Sequence, residues 1–144
     1  MKVIIFDYDG TICDTFDAYA HEYVRVAKKY KIKVKGKKDF KELYKINLAA
    51  ALMKKGLSKK EVCAFIHDMR KPYMQNPALL KPFQKMRDSV KKLAAHAAIF
   101  IVTSNSTSMI KNSIKYHNMQ GIKKVIGQNT WIKKVIIKCE VSKM

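Results

Sequence analysis

Two short stretches of the chain are apolar without interruption: Val3, Ile4, Ile5 and Phe6 near the start, and Ala98 to Val102 further on. Runs of this length with no polar alternation predict strands covered on both faces, over about 2–7 and 98–103, as in a parallel sheet. The first stops at Asp7-Tyr8-Asp9-Gly10, a turn signal. Between the two runs the periodicity is helical. Phe16, Tyr19, Ala20, Tyr23, Val24, Ala27 and Tyr30 recur every three or four residues and predict an amphipathic helix over about 15–31. Asp39 with Glu42 reads as an N-terminal capping pattern. The helix it opens, carrying Phe40, Leu43, Ile46, Ala51 and Leu52, is broken or continuous and ends at Gly56. Ser58 with Glu61 forms a full capping box ahead of Val62, Phe65, Ile66 and Met69, and Pro72, Pro77 and Pro82 then mark a linker. Beyond it, Phe83, Met86, Val90, Leu93 and Ala94 predict a helix, and Asn105 or Ser106 caps another through Met109, Ile110 and Ile114. Lys124, Val125 and Ile126 form a third strand ending at Gly127, and Thr130 caps a last segment, WIKKVIIK. Strand–helix–strand alternation from residue 82 onward, with a helical block before it, predicts an α/β fold on a parallel sheet. Ligands of such sheets bind at the carboxyl ends of strands.

Charge changes the picture less than its size suggests. Thirty basic residues against 11 acidic ones give a formal charge of +19, which invites a nucleic-acid or anionic partner. Only Arg25, Arg70 and Arg87 are arginines, and the lysines are spread along the whole sequence. Base-edge readers use the bidentate fork of arginine. Two readings stay open: a lysine-rich solvated surface, or a phosphate-rich partner or substrate. Neither calls for a specific nucleic acid. Cys13, Cys63 and Cys139 are odd in number and form no CxxC, so neither a disulfide framework nor a zinc site is indicated, and a reducing, cytoplasmic setting fits. No stretch approaches the ~20 apolar residues of a membrane span. His21, His67, His96 and His117 share no ligand spacing, and Met53, Met69, Met74, Met86 and Met109 fall mostly on apolar helix faces.

Both chemically suggestive stretches fall at strand ends. Asp7 and Asp9 can face one pocket if Gly10 lets the backbone turn. Bare carboxylates repel a phosphoryl group, so a divalent cation is needed between them. Mg²⁺ suits, because it takes oxygen ligands and keeps waters that phosphate can replace. A carboxylate beside it is a competent nucleophile, and the second can protonate a leaving oxygen and then activate water. The alternative is that Asp-Gly is a turn with solvated acids. Thr103-Ser104-Asn105-Ser106 offers a hydroxyl at a strand end followed by a helix N-terminus, which is an anion site or an ordinary helix cap.

FDYDGT at 6–11 and IVTSNS at 101–106 resemble motifs I and II of the haloacid dehalogenase superfamily, phosphoglycolate-phosphatase-like members in particular. The resemblance implies a Rossmann-like parallel sheet carrying Mg²⁺-dependent phosphatase chemistry. Asp7 would be the nucleophile and Asp9 the general acid/base, with Asp7 and the Asp9 backbone carbonyl on Mg²⁺. Gly10, Thr11, Thr103, Ser104 and Asn105 would bind the phosphoryl group. Asp9 argues against a dehalogenase, since family dehalogenases lack it. Residues 1–14 and 81–144 would form the core and 15–80 an inserted helical cap that selects a small phosphorylated metabolite. KPFQKMRDSVKKL resembles the return from cap to core, with Gln84 where the family usually has Gly. Lys134 is the first choice for the motif III lysine and Lys133 the second. Motif IV, an acidic pair, has no counterpart, since only Glu140 is acidic after Lys134. The sheet is therefore expected to be incomplete, with a truncation at the C-terminal end and the first strand's edge open to a homo-oligomer. A catalytically weak remnant of the fold is the rival reading, and a phosphatase of nucleic-acid ends the third.

Overall fold

A computed structural model describes residues 2–127. Lys133, Lys134, Glu140 and the WIKKVIIK segment lie outside the described residues, as does Cys139. The protein divides into two compact units, residues 1–14 with 80–144, and residues 15–79.

The first unit contains the sheet. Strand β1 (Val3–Phe6) pairs in parallel with β2 (Ala98–Val102), placing Phe6 opposite Ile101, and β2 pairs in parallel with β3 (Ile122–Ile126). The order β1-β2-β3 puts β2 in the centre. That place explains why two equally apolar runs are buried unequally. Ile99, Phe100 and Ile101 of β2 are buried, whereas Ile5 of β1 is 44% exposed and its neighbours are half-buried. The expectation that both strands are covered on both faces thus holds for β2 and is corrected for β1, which is an edge strand among the described residues. The opposite edge is of another character, since β3 carries exposed Lys123 and Lys124, charges that discourage edge pairing. Helix α5 (Met86–Ala94) lies ahead of β2 in sequence and buries Val90. Between β2 and β3 runs α6 (Thr107–Tyr116), which buries Met109 and Ile110. Leu80, read from the sequence as the last residue of the helical insertion, belongs to this unit: its carbonyl accepts from Cys13 Sγ at 3.6 Å and Ser113 Oγ at 3.5 Å.

The second unit is helical. It comprises α1 (Phe16–Lys29), α2 (Lys37–Ile46), α3 (Leu48–Lys54) and α4 (Lys59–Gln75), with a 3₁₀ turn at Pro77–Leu79. Its core is a run of touching aromatic rings, Phe16–Phe40–Tyr23–Phe65–Tyr30, with centroids 5.2–5.9 Å apart. Such spacing suits tilted ring pairs. The helix expected to be broken or continuous is broken at Asn47, whose side chain accepts the N–H of Ala50 and starts α3. The capping box is formed: Ser58 N–H donates to Glu61 Oε2 at 2.8 Å, and Ser58 Oγ accepts from Glu61 N–H at 3.3 Å.

Two expectations are corrected. Asp39 does not cap α2, whose N-cap position is Gly36. Its carboxylate instead accepts from the Tyr23 hydroxyl at 3.2 Å and Lys55 Nζ at 3.3 Å. Pro72 does not end the helix but lies inside α4. Proline there leaves the carbonyl four residues earlier without its helical donor. That carbonyl, of Asp68, accepts instead from Arg25 Nη2 of α1 at 3.4 Å, which gives it a substitute donor.

Candidate active site

The carboxyl end of β1 turns back on itself at once. The Tyr8 carbonyl accepts the N–H groups of Ile12 at 2.9 Å and Cys13 at 3.0 Å, and Gly10 N–H donates to the Cys13 carbonyl at 2.9 Å. Gly10 sits at φ 71°, in the left-handed region that favours glycine, so the turn depends on this residue. Asp14 N–H donates to Lys81 O and Phe83 N–H to Ile12 O, which fixes the far side of the turn. Asp7, directly after the strand, is exposed, as is Gly10, while Asp9 and Thr11 are half-buried.

Tyr8 lies between the two acids in sequence. It is fully buried and its hydroxyl donates to Ser113 Oγ of α6 at 2.7 Å. Burial drives its phenol far above the ordinary tyrosine range. Burial also pushes the Cys13 thiol up to about 12, with the Asp9 charge adding to it. Neither side chain is placed to ionise near neutral pH.

The end of β2 is organised differently. Thr103 is buried, and its N–H donates to the Ile126 carbonyl at 2.9 Å. Its Oγ1 accepts the N–H of Asn105 at 3.1 Å, which aims the hydroxyl hydrogen elsewhere. Of the two capping candidates for α6, Ser106 is the cap: its Oγ accepts from Met109 N–H at 3.3 Å. Asn105 has another partner. It is 2% exposed, and its side-chain amide donates to Asp9 Oδ2 at 2.6 Å. A carboxylate only accepts, so the amide nitrogen must face it. Asp9 at the end of β1 and Asn105 beyond β2 are thereby joined across 96 positions of sequence. Ser104 is exposed beside them.

Asp7, Asp9, Gly10 and Thr11 thus occupy one strand end and Thr103, Ser104 and Asn105 the next, on paired parallel strands. Sequence reading missed Gly127. It follows β3, its N–H donates to Thr107 Oγ1 at 2.9 Å, and a Cβ there would stand 2.4 Å from the Asn105 carbonyl oxygen. The available signal was a glycine just past a strand, where backbones approach closely. Among the described residues, no three His, Cys, Asp or Glu side chains converge into a ready metal centre. The donors that fit a hard cation such as Mg²⁺ are oxygens of Asp7 and Asp9, one or two carboxylates being its usual protein share.

An open parallel sheet whose polar side chains gather at two adjacent strand ends defines an α/β protein with a ligand site in the crevice there. The chain belongs to the haloacid dehalogenase-like hydrolase family, whose sequence profile matches residues 4–137. No curated protein sequence matches it. Among solved structures it resembles a haloacid dehalogenase-like hydrolase from Streptococcus pneumoniae, at 19% identity and TM-score 0.69 over 88% of this chain and 61% of that one. It also resembles a provisionally assigned phosphoglycolate phosphatase from Lactobacillus plantarum, at 18% identity and TM-score 0.73 over 88% of this chain and 62% of that one. A predicted phosphatase from Clostridium acetobutylicum aligns at 16% identity and TM-score 0.73 over 88% and 60%. At such identities the likeness establishes the fold. The protein spans about three-fifths of the length of these structures.

Proposed function

We propose that the protein is a phosphatase of small phosphorylated metabolites, acting through an aspartyl-phosphate. The observation that carries this reading is the pairing of an exposed Asp7 with an Asp9 held by Asn105 beside it. In the proposed reaction an Asp7 carboxylate oxygen attacks phosphorus, and the bond to the leaving oxygen breaks as Asp9 gives that oxygen its proton. Asp9 then takes a proton from water, the water oxygen attacks phosphorus, and phosphate departs as Asp7 is regenerated. Mg²⁺, held by Asp7 and the Asp9 backbone carbonyl, would supply the positive charge that lets an anionic nucleophile approach an anionic substrate. Gly10, Thr11, Thr103, Ser104 and Asn105 would line the phosphoryl site, with Lys134 as the added cation. In this reading the helical insertion, read from the sequence as residues 15–80, is a cap that selects substrate, and the setting is cytoplasmic. Any nucleic-acid binding is weak and lost by physiological salt, because scattered lysines attract phosphates without reading bases.

The test is turnover of p-nitrophenyl phosphate with Mg²⁺. Wild type should hydrolyse it, and Asp9→Asn should lose on the order of 10²–10⁴-fold on an alkyl phosphate, which needs its leaving oxygen protonated, but far less on p-nitrophenyl phosphate. Equal losses on both substrates would reduce Asp9 to a structural residue.

A second reading, a weak or inactive member of the family, is favoured by the donor set, since no third acid joins Asp7 and Asp9 among the described residues. Titration calorimetry with Mg²⁺ separates the two. Weak binding without turnover supports the second, and tight binding with turnover the first. Sedimentation of the same sample tests whether the apolar edge of β1 pairs two copies.

A further inference from the structure

We propose that the end of β3 clamps the loop after β2, and that Asn105 and Gly127 are thereby positioning residues for the Asp9 carboxylate. The inference rests on the reading of Asp9 as the proton-transferring acid, but its geometry stands apart from that reading. Residues 103–107 are tied to β3 at both ends. At one end Thr103 N–H donates to the Ile126 carbonyl at 2.9 Å, and at the other Thr107 Oγ1 accepts from Gly127 N–H at 2.9 Å. Asn105 sits midway between these ties. Its own N–H is turned inward onto Thr103 Oγ1, its carbonyl lies against Gly127, and its side-chain amide emerges toward Asp9.

Gly127 makes this arrangement possible. A Cβ on it would stand 2.4 Å from the Asn105 carbonyl oxygen, 2.5 Å from the Thr107 nitrogen and 2.8 Å from Thr107 Oγ1. Two of these are backbone atoms, so no side-chain rotation relieves the clash. Either β3 retreats or the loop lifts, and in both cases Asn105 leaves Asp9. A primary amide suits the task. It is neutral and short, and it donates to a carboxylate without the charge of a lysine, which would hold the acid permanently ionised.

The experiment has two arms, run on Asn105→Ala, Asn105→Asp and Gly127→Ala. Asn105→Asp is nearly isosteric and keeps the test open if Gly127→Ala fails to fold. In the kinetic arm, kcat on an alkyl phosphate should fall roughly 10–100-fold, the usual effect of losing a group that orients a site residue. The loss should fall mainly on kcat, and p-nitrophenyl phosphate should lose far less than the alkyl phosphate. Equal loss on both substrates, or none on either, overturns the proposal. The second arm needs no turnover. In the ¹⁵N–¹H spectrum of the metal-free protein, the Asn105 side-chain amide signals should move on Asp9→Asn and move again on Gly127→Ala. Signals indifferent to both changes sink the clamp even in an active enzyme. Signals that respond in a protein without turnover keep the clamp and remove the phosphatase reading instead.

Discussion

Acidic residues are used in opposite ways by the helical unit and the sheet unit. In the helical unit they are matched to partners within a helix or on its neighbour. Glu22, buried at 7%, accepts from Arg25 Nη2 at 2.6 Å, Asp68 takes Lys29 Nζ at 2.6 Å and the Tyr30 hydroxyl at 3.2 Å, and Glu61 closes a cap. In the sheet unit the acids at the end of β1 are held in another way. Asp7 is exposed, and Asp9 accepts from the side-chain amide of Asn105. The lesson is that the acids of the helical unit are spent on cations, a hydroxyl or a helix cap, whereas Asp7 at the end of β1 stays exposed.

Asp7→Asn sharpens this contrast most. It should remove all turnover while leaving the melting temperature unchanged, because the residue is exposed and the exchange nearly isosteric. Activity that survives would end the nucleophile assignment. The reverse pattern is expected from Phe65→Ala, which removes a fully buried ring from the aromatic run of the helical unit. It should cost about 3–5 kcal/mol of that unit's stability in denaturant titration. A cost near zero would mean that the aromatic run is not the unit's core. Ser58→Ala removes the cap of α4 and should cost about 1 kcal/mol, read from the same titration. The smallest effect is that of acid. The Lys29 ammonium holds Asp68 below the ordinary carboxylate range, and the Ser58 hydroxyl and N–H do the same for Glu61. Depressed values in the folded state mean stability that is present above pH about 4 and lost as pH falls through them. Thermal melts between pH 5 and 3 should show a small decline that Asp68→Asn reduces. The pairs are largely exposed, so a large decline would have to come from elsewhere.

What the sequence discloses is what depends on near neighbours along it. The apolar runs of β1 and β2, the Ser58–Glu61 box and the Asp-Tyr-Asp-Gly turn all depend on residues within a few positions of one another, and all are present in the fold. Distant partners decide the features that do not show in it. Asp39 has a capping residue's chemistry but is taken by Tyr23 and Lys55. Pro72 reads as a helix stop until Arg25 arrives from another helix to hold the carbonyl it leaves. Periodicity cannot tell a central strand from an edge strand, so Ile5 and Phe100 look alike in sequence and differ in exposure. In the site, strand-end placement was readable for both motifs. The Asn105–Asp9 bond was not, because it joins residues that only the sheet brings together.

The buried Cys13 gives the turn after β1 a built-in clock. Its thiol donates to the Leu80 carbonyl, and its backbone closes the turn through Tyr8 and Gly10. An alkylating reagent needs a thiolate within reach, and here it finds neither until that turn opens. The exposed Cys63 on α4 reacts without such an opening and serves as the internal standard. Pulsed alkylation read by peptide mass at Cys13 therefore times how often the loop bearing Asp9 comes apart in the folded protein. It requires no substrate or metal.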